Sequence, residues 1–194
     1  MNLLKHTYPA VALTIVLTVL LGIIYPFVIT GLSELLFKEK ARGSLIEREG
    51  KIIGSRLIGQ PFKGAGYFQP RPSAAGSGYD ATASGGTNLG PTSKQLFEDQ
   101  VRGRSEQLRN ENPNMEIPID FITSSASGLD PHISPAAAEF QTPRVAGERR
   151  MSEDEVRRLI RKHTEGRQFG VLGEPRVNVL ELNLELDEAS GKDK

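Results

Sequence analysis

Residues 10–32 read AVALTIVLTVLLGIIYPFVITGL, and no charged side chain lies between Lys5 and Glu34. At ~1.5 Å rise per residue the run makes a helix of roughly 35 Å, enough to cross a hydrocarbon core of ~30 Å with some tilt. In lipid a helix satisfies its own backbone groups. The run has no polar face, which argues against a buried core helix. A cleaved signal peptide has an apolar core of only ~7–15 residues and a small-x-small site behind it. Here the run is longer and continues Ser33-Glu34-Leu35-Leu36-Phe37. The sequence therefore predicts a short tail over residues 1–9, an uncleaved transmembrane helix over 10–37, a soluble domain over 38–187 and a disordered tail over 188–194.

Ala10, Thr14, Thr18 and Gly22 recur at every fourth position and fall on one helix face. Small residues at that spacing admit a close partner helix, and the Thr hydroxyls can bond across or back to their own backbone. Pro26 continues the row and deprives the Gly22 carbonyl of its usual donor, which predicts a kink.

After the span roughly 155 residues remain, one domain's worth and enough for a core. Lys and Arg total 24, as do Asp and Glu, so the net charge is zero and nucleic acid is a poor partner. There is no cysteine, which excludes disulfides, thiol catalysis and thiolate metal sites. The three histidines, His6, His132 and His163, are not in metal-ligand spacing. Lys38, Lys40 and Arg42 follow the span and Lys5 precedes it, a weak bias towards a cytoplasmic domain.

Along the soluble part, Leu35 to Arg42 continues helically. Ser44–Ile58 reads as a hairpin turning at Gly50. Residues 61–93 are rich in Gly, Ser, Ala and Pro, yet carry Tyr67, Phe68, Arg71, Tyr79 and Asn88. Spaced aromatics and an Arg argue for a long ordered loop that contacts something. Thr92-x-x-Gln95 has the form of a capping box, opening a helix to about Glu111 with Phe97, Val101 and Leu108 buried. Residues 117–123 read as a strand. Ser134-Pro135 opens a second helix that Pro143 ends or kinks, and Ser152-x-x-Glu155 caps a third. Leu180, Leu182, Leu184 and Leu186 alternate with polar residues as in a final strand, with a bulge near Val179-Leu180. Strands near both ends with helices between them give an α+β domain.

Catalytic machinery is not evident. Residues 85–92, GGTNLGPT, resemble a phosphate-binding loop in outline, but Pro91 stands where the Lys must be and no strand leads in. Asp130 and His132 are an acid–base pair by type, and a turn opener with its neighbour by context. There is no G-x-S-x-G nucleophile elbow and no Asp-Lys-Thr-Gly phosphorylation segment. The C-terminal helices are basic, with Arg144, Arg149, Arg150, Arg157, Arg158, Arg161 and Lys162, a pattern suited to solvent, lipid headgroups or a partner.

Several runs together resemble the C subunit of the Kdp-type potassium-transporting ATPase of bacteria and archaea. They are Leu57-Ile58-Gly59-Gln60-Pro61-Phe62, Tyr67-Phe68, Arg71-Pro72-Ser73-Ala74, Tyr79-Asp80-Ala81 and Ser84-Gly85-Gly86-Thr87-Asn88-Leu89-Gly90-Pro91. Further on they are Ser127-Gly128-Leu129-Asp130-Pro131-His132-Ile133-Ser134, Ala137-Ala138-x-x-Gln141-x-x-Arg144-Val145-Ala146 and Gly173-Glu174-Pro175-Arg176-Val177-Asn178-Val179-Leu180-x-Leu182-Asn183. The lone N-terminal span fits as well.

The resemblance implies a non-catalytic accessory subunit of an ATP-driven potassium pump in the cell (inner) membrane. Its implied partners are a channel-like potassium-binding subunit, a P-type ATPase subunit and a very small single-span subunit, besides membrane lipid. Potassium is transported by the complex and not bound by this chain. In the family the subunit is described as a catalytic chaperone that raises ATP affinity, with a glutamine, here Gln141, at the nucleotide. The family also places the domain outside the membrane, where cytoplasmic ATP cannot reach it. The alternative is therefore an extracytoplasmic clamp or filter at the ion entrance, with Tyr67, Phe68, Arg71, Tyr79, Asn88, Asp130 and His132 as loop contacts.

Overall fold

The computed structural model describes residues 3–191 and divides the chain into two units, residues 1–45 and 46–194. In the first unit α1 (Leu3–Val19), a π-helical turn (Leu20–Ile24) and α2 (Tyr25–Leu36) form one helix. It is long and apolar enough to cross a membrane, with a mean hydropathy of 2.5 over its best window and none of that window buried. The adjustment ahead of Pro26 is the π-helical turn: the Tyr25 N–H reaches back to the Leu20 carbonyl. A π turn re-satisfies backbone groups that a proline disturbs, which matters where water is absent. Thr14 Oγ1 donates to the Ala10 carbonyl at 2.9 Å. A Cβ on Gly22 would meet Thr18 Cγ2 at 4.0 Å, so these two share a face. After a break at Phe37, α3 (Lys38–Ala41) gives a short final turn.

The second unit is α+β. β1 (Leu45–Arg48) and β2 (Lys51–Ser55) form the expected hairpin. Glu49 and Gly50 both take positive φ, +51° and +74°, as a two-residue type I′ turn requires. A long stretch without helix or strand follows. The next helix is π-helical over Gln95–Arg102 and becomes α4 (Gly103–Glu111). Its start corrects the sequence reading: the Leu96 N–H points at Ser93 Oγ (3.4 Å), so Ser93 and not Thr92 is the cap. Phe97 is exposed rather than buried, while Val101 and Leu108 on the same helix are half-buried.

Two predicted strands are helices. Within residues 117–123 the structure has α5 (Ile119–Ile122), seated after Pro118. The leucine-rich C-terminus is α8 (Val179–Ala189). Its alternation misleads, because Val179, Leu182, Asn183 and Leu186 also stand at helical spacing, and those four are buried. Asn178 settles the matter locally: its Oδ1 accepts the Glu181 N–H at 3.1 Å as an N-cap. The chain thus turns from strand to helix where a bulge was expected. Helix also occupies residues 188 and 189 of the predicted tail, whose last three residues lie outside the described ones.

The strands proper are short. β3 (His132–Ile133), β4 (Thr164–Glu165) and β5 (Arg176–Asn178) form an antiparallel sheet in the order β3-β5-β4, with Ile133 and Thr164 flanking Val177. α6 (Pro135–Arg149) and α7 (Glu153–Lys162) begin at Ser134 and Ser152 as the sequence predicts, the second with a complete capping box. Pro143 neither ends α6 nor marks its boundary; the helix runs on to Arg149. Thr142, Val145 and Ala146 are buried on both sides of it, and that packing outweighs the ~3 kcal/mol an interior proline costs. The core lies between α6, α7 and α8, with Phe121 and Phe140 edge to face at 5.9 Å between ring centres.

Candidate functional site

The long loop between β2 and the π-helical segment is ordered by side chains from α6 and α8. Phe68 is fully buried, and its backbone is read by one amide side chain. The Phe68 N–H donates to Asn183 Oδ1 at 2.8 Å, and Asn183 Nδ2 donates to the Phe68 carbonyl at 2.9 Å. The next residue repeats the arrangement. The Gln69 N–H donates to Gln141 Oε1 at 2.7 Å, and Gln141 Nε2 returns to the Gln69 carbonyl at 3.1 Å. Two helical amides therefore act as strand partners for an irregular segment, satisfying backbone groups that burial would otherwise orphan.

Two arginines finish the clamp. Arg144 donates to Gln141 Oε1 and Glu111 Oε1, both at 2.6 Å, and to the carbonyls of Ala65 and Tyr67. Arg149, with a fully buried side chain, donates to the Gly66 carbonyl and to Asp187 Oδ1, each at 2.6 Å. Its guanidinium lies 4.5 Å from the centre of the Tyr67 ring, while Tyr67 Oη meets Asp187 Oδ2 at 3.2 Å. Desolvated cation–π contacts of this kind are worth roughly 2 kcal/mol.

Further along the loop, Arg71, Asp130 and His132 come together. Arg71 Nη1 donates to Asp130 Oδ2 at 3.1 Å. Asp130 Oδ1 accepts the His132 N–H at 3.0 Å and stands 3.4 Å from His132 Nδ1. Burial opposes ionisation of Asp130. The hydrogen bonds from His132 and the charge of Arg71 outweigh it and hold the carboxyl below its ordinary range. Tyr79 Oη donates to the Arg71 carbonyl, and burial pushes the phenol up to about 12 against the opposing charge of Arg104. Ser73 Oγ donates to the Gly128 carbonyl at 2.6 Å and accepts from Tyr79 N–H at 2.7 Å. Gly128 (φ +68°) is required there, since a Cβ would lie 2.6 Å from Ala75 N.

The sequence-predicted loop residues thus fall into two groups. Tyr67 and Phe68 join the clamp, and Arg71, Tyr79, Asp130 and His132 join the second cluster. Asn88 is exposed at φ +53° and belongs to neither. Gln141 is 2% exposed and its amide is engaged by Gln69, Ala137 and Arg144. The glycines that resemble a phosphate loop are used internally. The Gly85 N–H donates to the Ser127 carbonyl at 2.9 Å, and Gly86 packs against the Ala126 carbonyl. Much of the basic charge on the last helices is paired, as in Arg157 with Glu139 and Lys162 with Glu185. Arg144 and Asn183 stand in the family-like runs, but their sequence context alone assigns neither of them, nor Asp187, a part in the clamp. A buried-helix spacing of Val179, Leu182, Asn183 and Leu186 was the signal that would have exposed Asn183.

Arg71, Asp130, His132, Ser134 and Arg176 line a cleft of about 550 Å³ together with Pro118, Ile119 and Pro175. Asp120 at its floor is occupied by Ser134, whose N–H and Oγ lie 2.7 and 3.1 Å from its two oxygens. Among the described residues no cluster of His, Asp and Glu is arranged to hold a metal ion. The hydrogen bonds of the arrangement are spent on ordering the loop and the start of α6.

A profile of the K+-transporting ATPase, c chain, matches residues 7–188. The chain is 60% identical over 183 residues to the potassium-transporting ATPase KdpC subunit of Koribacter versatilis, covering 94% of each. It is 50% identical over 202 residues to the protein of that name from Bradyrhizobium diazoefficiens, covering 98% of this chain and 100% of the relative. To that of Methylococcus capsulatus it is 51% identical over 188 residues, covering 95% and 98%. With the match running through both the apolar helix and the clamped domain, the chain belongs to the K+-transporting ATPase c-chain family.

Proposed function

We propose that the chain is a non-catalytic accessory subunit of a potassium-transporting ATPase. α1 and α2 anchor it in the cell membrane as a single span, and Ala10, Thr14, Thr18 and Gly22 face a helix of a companion subunit. The domain lies outside the cytoplasm and acts as a clamp or filter at the ion entrance of a channel-like subunit. A P-type ATPase subunit and a very small single-span subunit complete the assembly. The observation that carries this reading is the lock on the long loop: the amides of Asn183 and Gln141 bind the backbone of Phe68 and Gln69 from both sides. A loop without regular structure that is held this firmly suits rigid presentation to a partner.

Any effect on ATP affinity then reaches the ATPase subunit through the assembly. Direct contact with nucleotide would need Gln141 to abandon Gln69 and Arg144 and leave their buried groups unpaired. Two variants in the assembled pump separate the readings. Under the clamp reading Gln141→Ala and Asn183→Ala both release the loop and weaken apparent ATP affinity together. Under direct contact only Gln141→Ala does so. Sidedness has its own test, since the chain lacks cysteine. Ala81→Cys in intact cells should react with an impermeant maleimide from outside; reaction only after lysis rules out the extracytoplasmic clamp.

A further inference from the structure

Between β4 and β5 a hairpin leaves the domain with its neck closed by two ion pairs, Arg176 with Glu165 (2.8 Å) and Arg167 with Glu174 (2.7 Å). Beyond them Gln168 and Leu172 exchange both backbone hydrogen bonds at 2.9 Å, and the Val171 N–H returns to the Gln168 carbonyl at 3.2 Å. The two residues at the turn, Phe169 and Gly170, have φ +54° and +76°. Two successive left-handed residues are the type I′ pattern, for which Asn-Gly is preferred. A bulky aromatic in the first of those places is strained. Phe169 is nevertheless there, 93% exposed, with Val171 at 72% and Leu172 at 57%. The domain's own packing gains almost nothing from Phe169, and its backbone is strained to hold it there.

We propose that Phe169, Val171 and Leu172 form a preorganised docking tip that fills an uncharged apolar cleft on a companion protein of the transport assembly. This rests on the accessory-subunit reading. Charge identifies the kind of partner. The four charged residues of the neck neutralise one another in pairs, so the tip carries no basic excess towards anionic headgroups, on which lipid-surface elements rely. Rigidity points the same way. Reciprocal hydrogen bonds fix where the ring projects, and a fitted pocket rewards a preordered aromatic anchor whereas a fluid lipid phase does not.

Phe169→Asn tests the proposal without threatening the fold, because Asn suits the turn. The tagged full-length chain, co-expressed with the other subunits of the transport assembly and purified in detergent, should melt at the same temperature or higher. Its companions should dissociate roughly tenfold faster or more, as for the loss of an interface anchor. Equal retention by a folded Phe169→Asn chain overturns the inference. The chain also has no tryptophan, so Phe169→Trp places a single reporter at the tip. In nanodiscs without companions its emission should be that of a water-exposed indole, and assembly should shift it to the blue. A blue shift in lipid alone, or none on assembly, overturns the inference. If the unaltered chain retains no companion at all, the accessory-subunit reading itself fails; if it retains them as well as Phe169→Asn does, only the hairpin inference fails.

Discussion

The side-chain amide of Gln141 pairs with the backbone of Gln69 through both its oxygen and its nitrogen, at 2.7 and 3.1 Å, as one strand residue pairs with another. With the equivalent pair between Asn183 and Phe68, it turns a Gly- and Pro-rich segment into a fixed part of the domain.

Breaking either pair should loosen that segment. Gln141→Ala leaves the Gln69 N–H and carbonyl without their partners, at a cost of about 1–3 kcal/mol. Thermal and urea melts of the purified chain check this. Hydrogen exchange should quicken at Gln69 well before it does in α7.

Arg149→Met should be more severe. It leaves Asp187 a largely buried carboxylate without its cation, an effect of about 3–5 kcal/mol, and the Gly66 carbonyl without its donor. Asp187→Asn removes the counter-charge of Arg149 but keeps an acceptor oxygen for it, together with the Gly66 and Tyr67 contacts of the guanidinium, and should cost less. A comparison of midpoints in denaturant gives the order.

Gly128→Ala and Gly147→Ala should move stability in opposite directions. At Gly128 the left-handed backbone and the nearby Ala75 nitrogen make a Cβ costly, by at least about 1–2 kcal/mol. Gly147 lies in α6 with open space where the Cβ would be, and alanine there should stabilise by about 0.5–1 kcal/mol.

Two groups make the loop sensitive to pH from opposite sides. Asp130 is held below the usual carboxylate value, so its contribution is complete above about pH 4 and is lost as the pH falls through its lowered value. Tyr79 is raised to about 12, so its contribution is complete below its unfolded value near 10 and is lost as the pH climbs towards 12. Asp130→Asn should flatten the acid side of the stability profile and Tyr79→Phe the alkaline side, both read from melts across pH.

Elements marked by local chemistry were legible in the sequence. The apolar helix, the hairpin turning at Glu49-Gly50, and the starts of α6 and α7 each follow from neighbours a few residues apart. The misreadings came where two local patterns coincide. The leucine alternation of 180–186 supports a strand, while Val179, Leu182, Asn183 and Leu186 support a helix; Asn178 as a cap and the packing of that face against α6 and α7 decide for the helix. Pro143 predicts an end or a kink; α6 runs on past it to Arg149, because the packing of Thr142, Val145 and Ala146 is not a local property.

By itself the sequence determined that the chain carries a membrane-length apolar stretch, no cysteine, and the motifs of its family. Those depend on composition, spacing and residue identity alone. Only the tertiary structure decided what the motif residues do. Gln69 lies 72 positions from Gln141 and Phe68 lies 115 from Asn183. An amide that serves as a strand partner is indistinguishable in sequence from one that faces a ligand. What separates them is whether its oxygen and nitrogen are already satisfied, and that depends on which distant backbone the fold delivers to them.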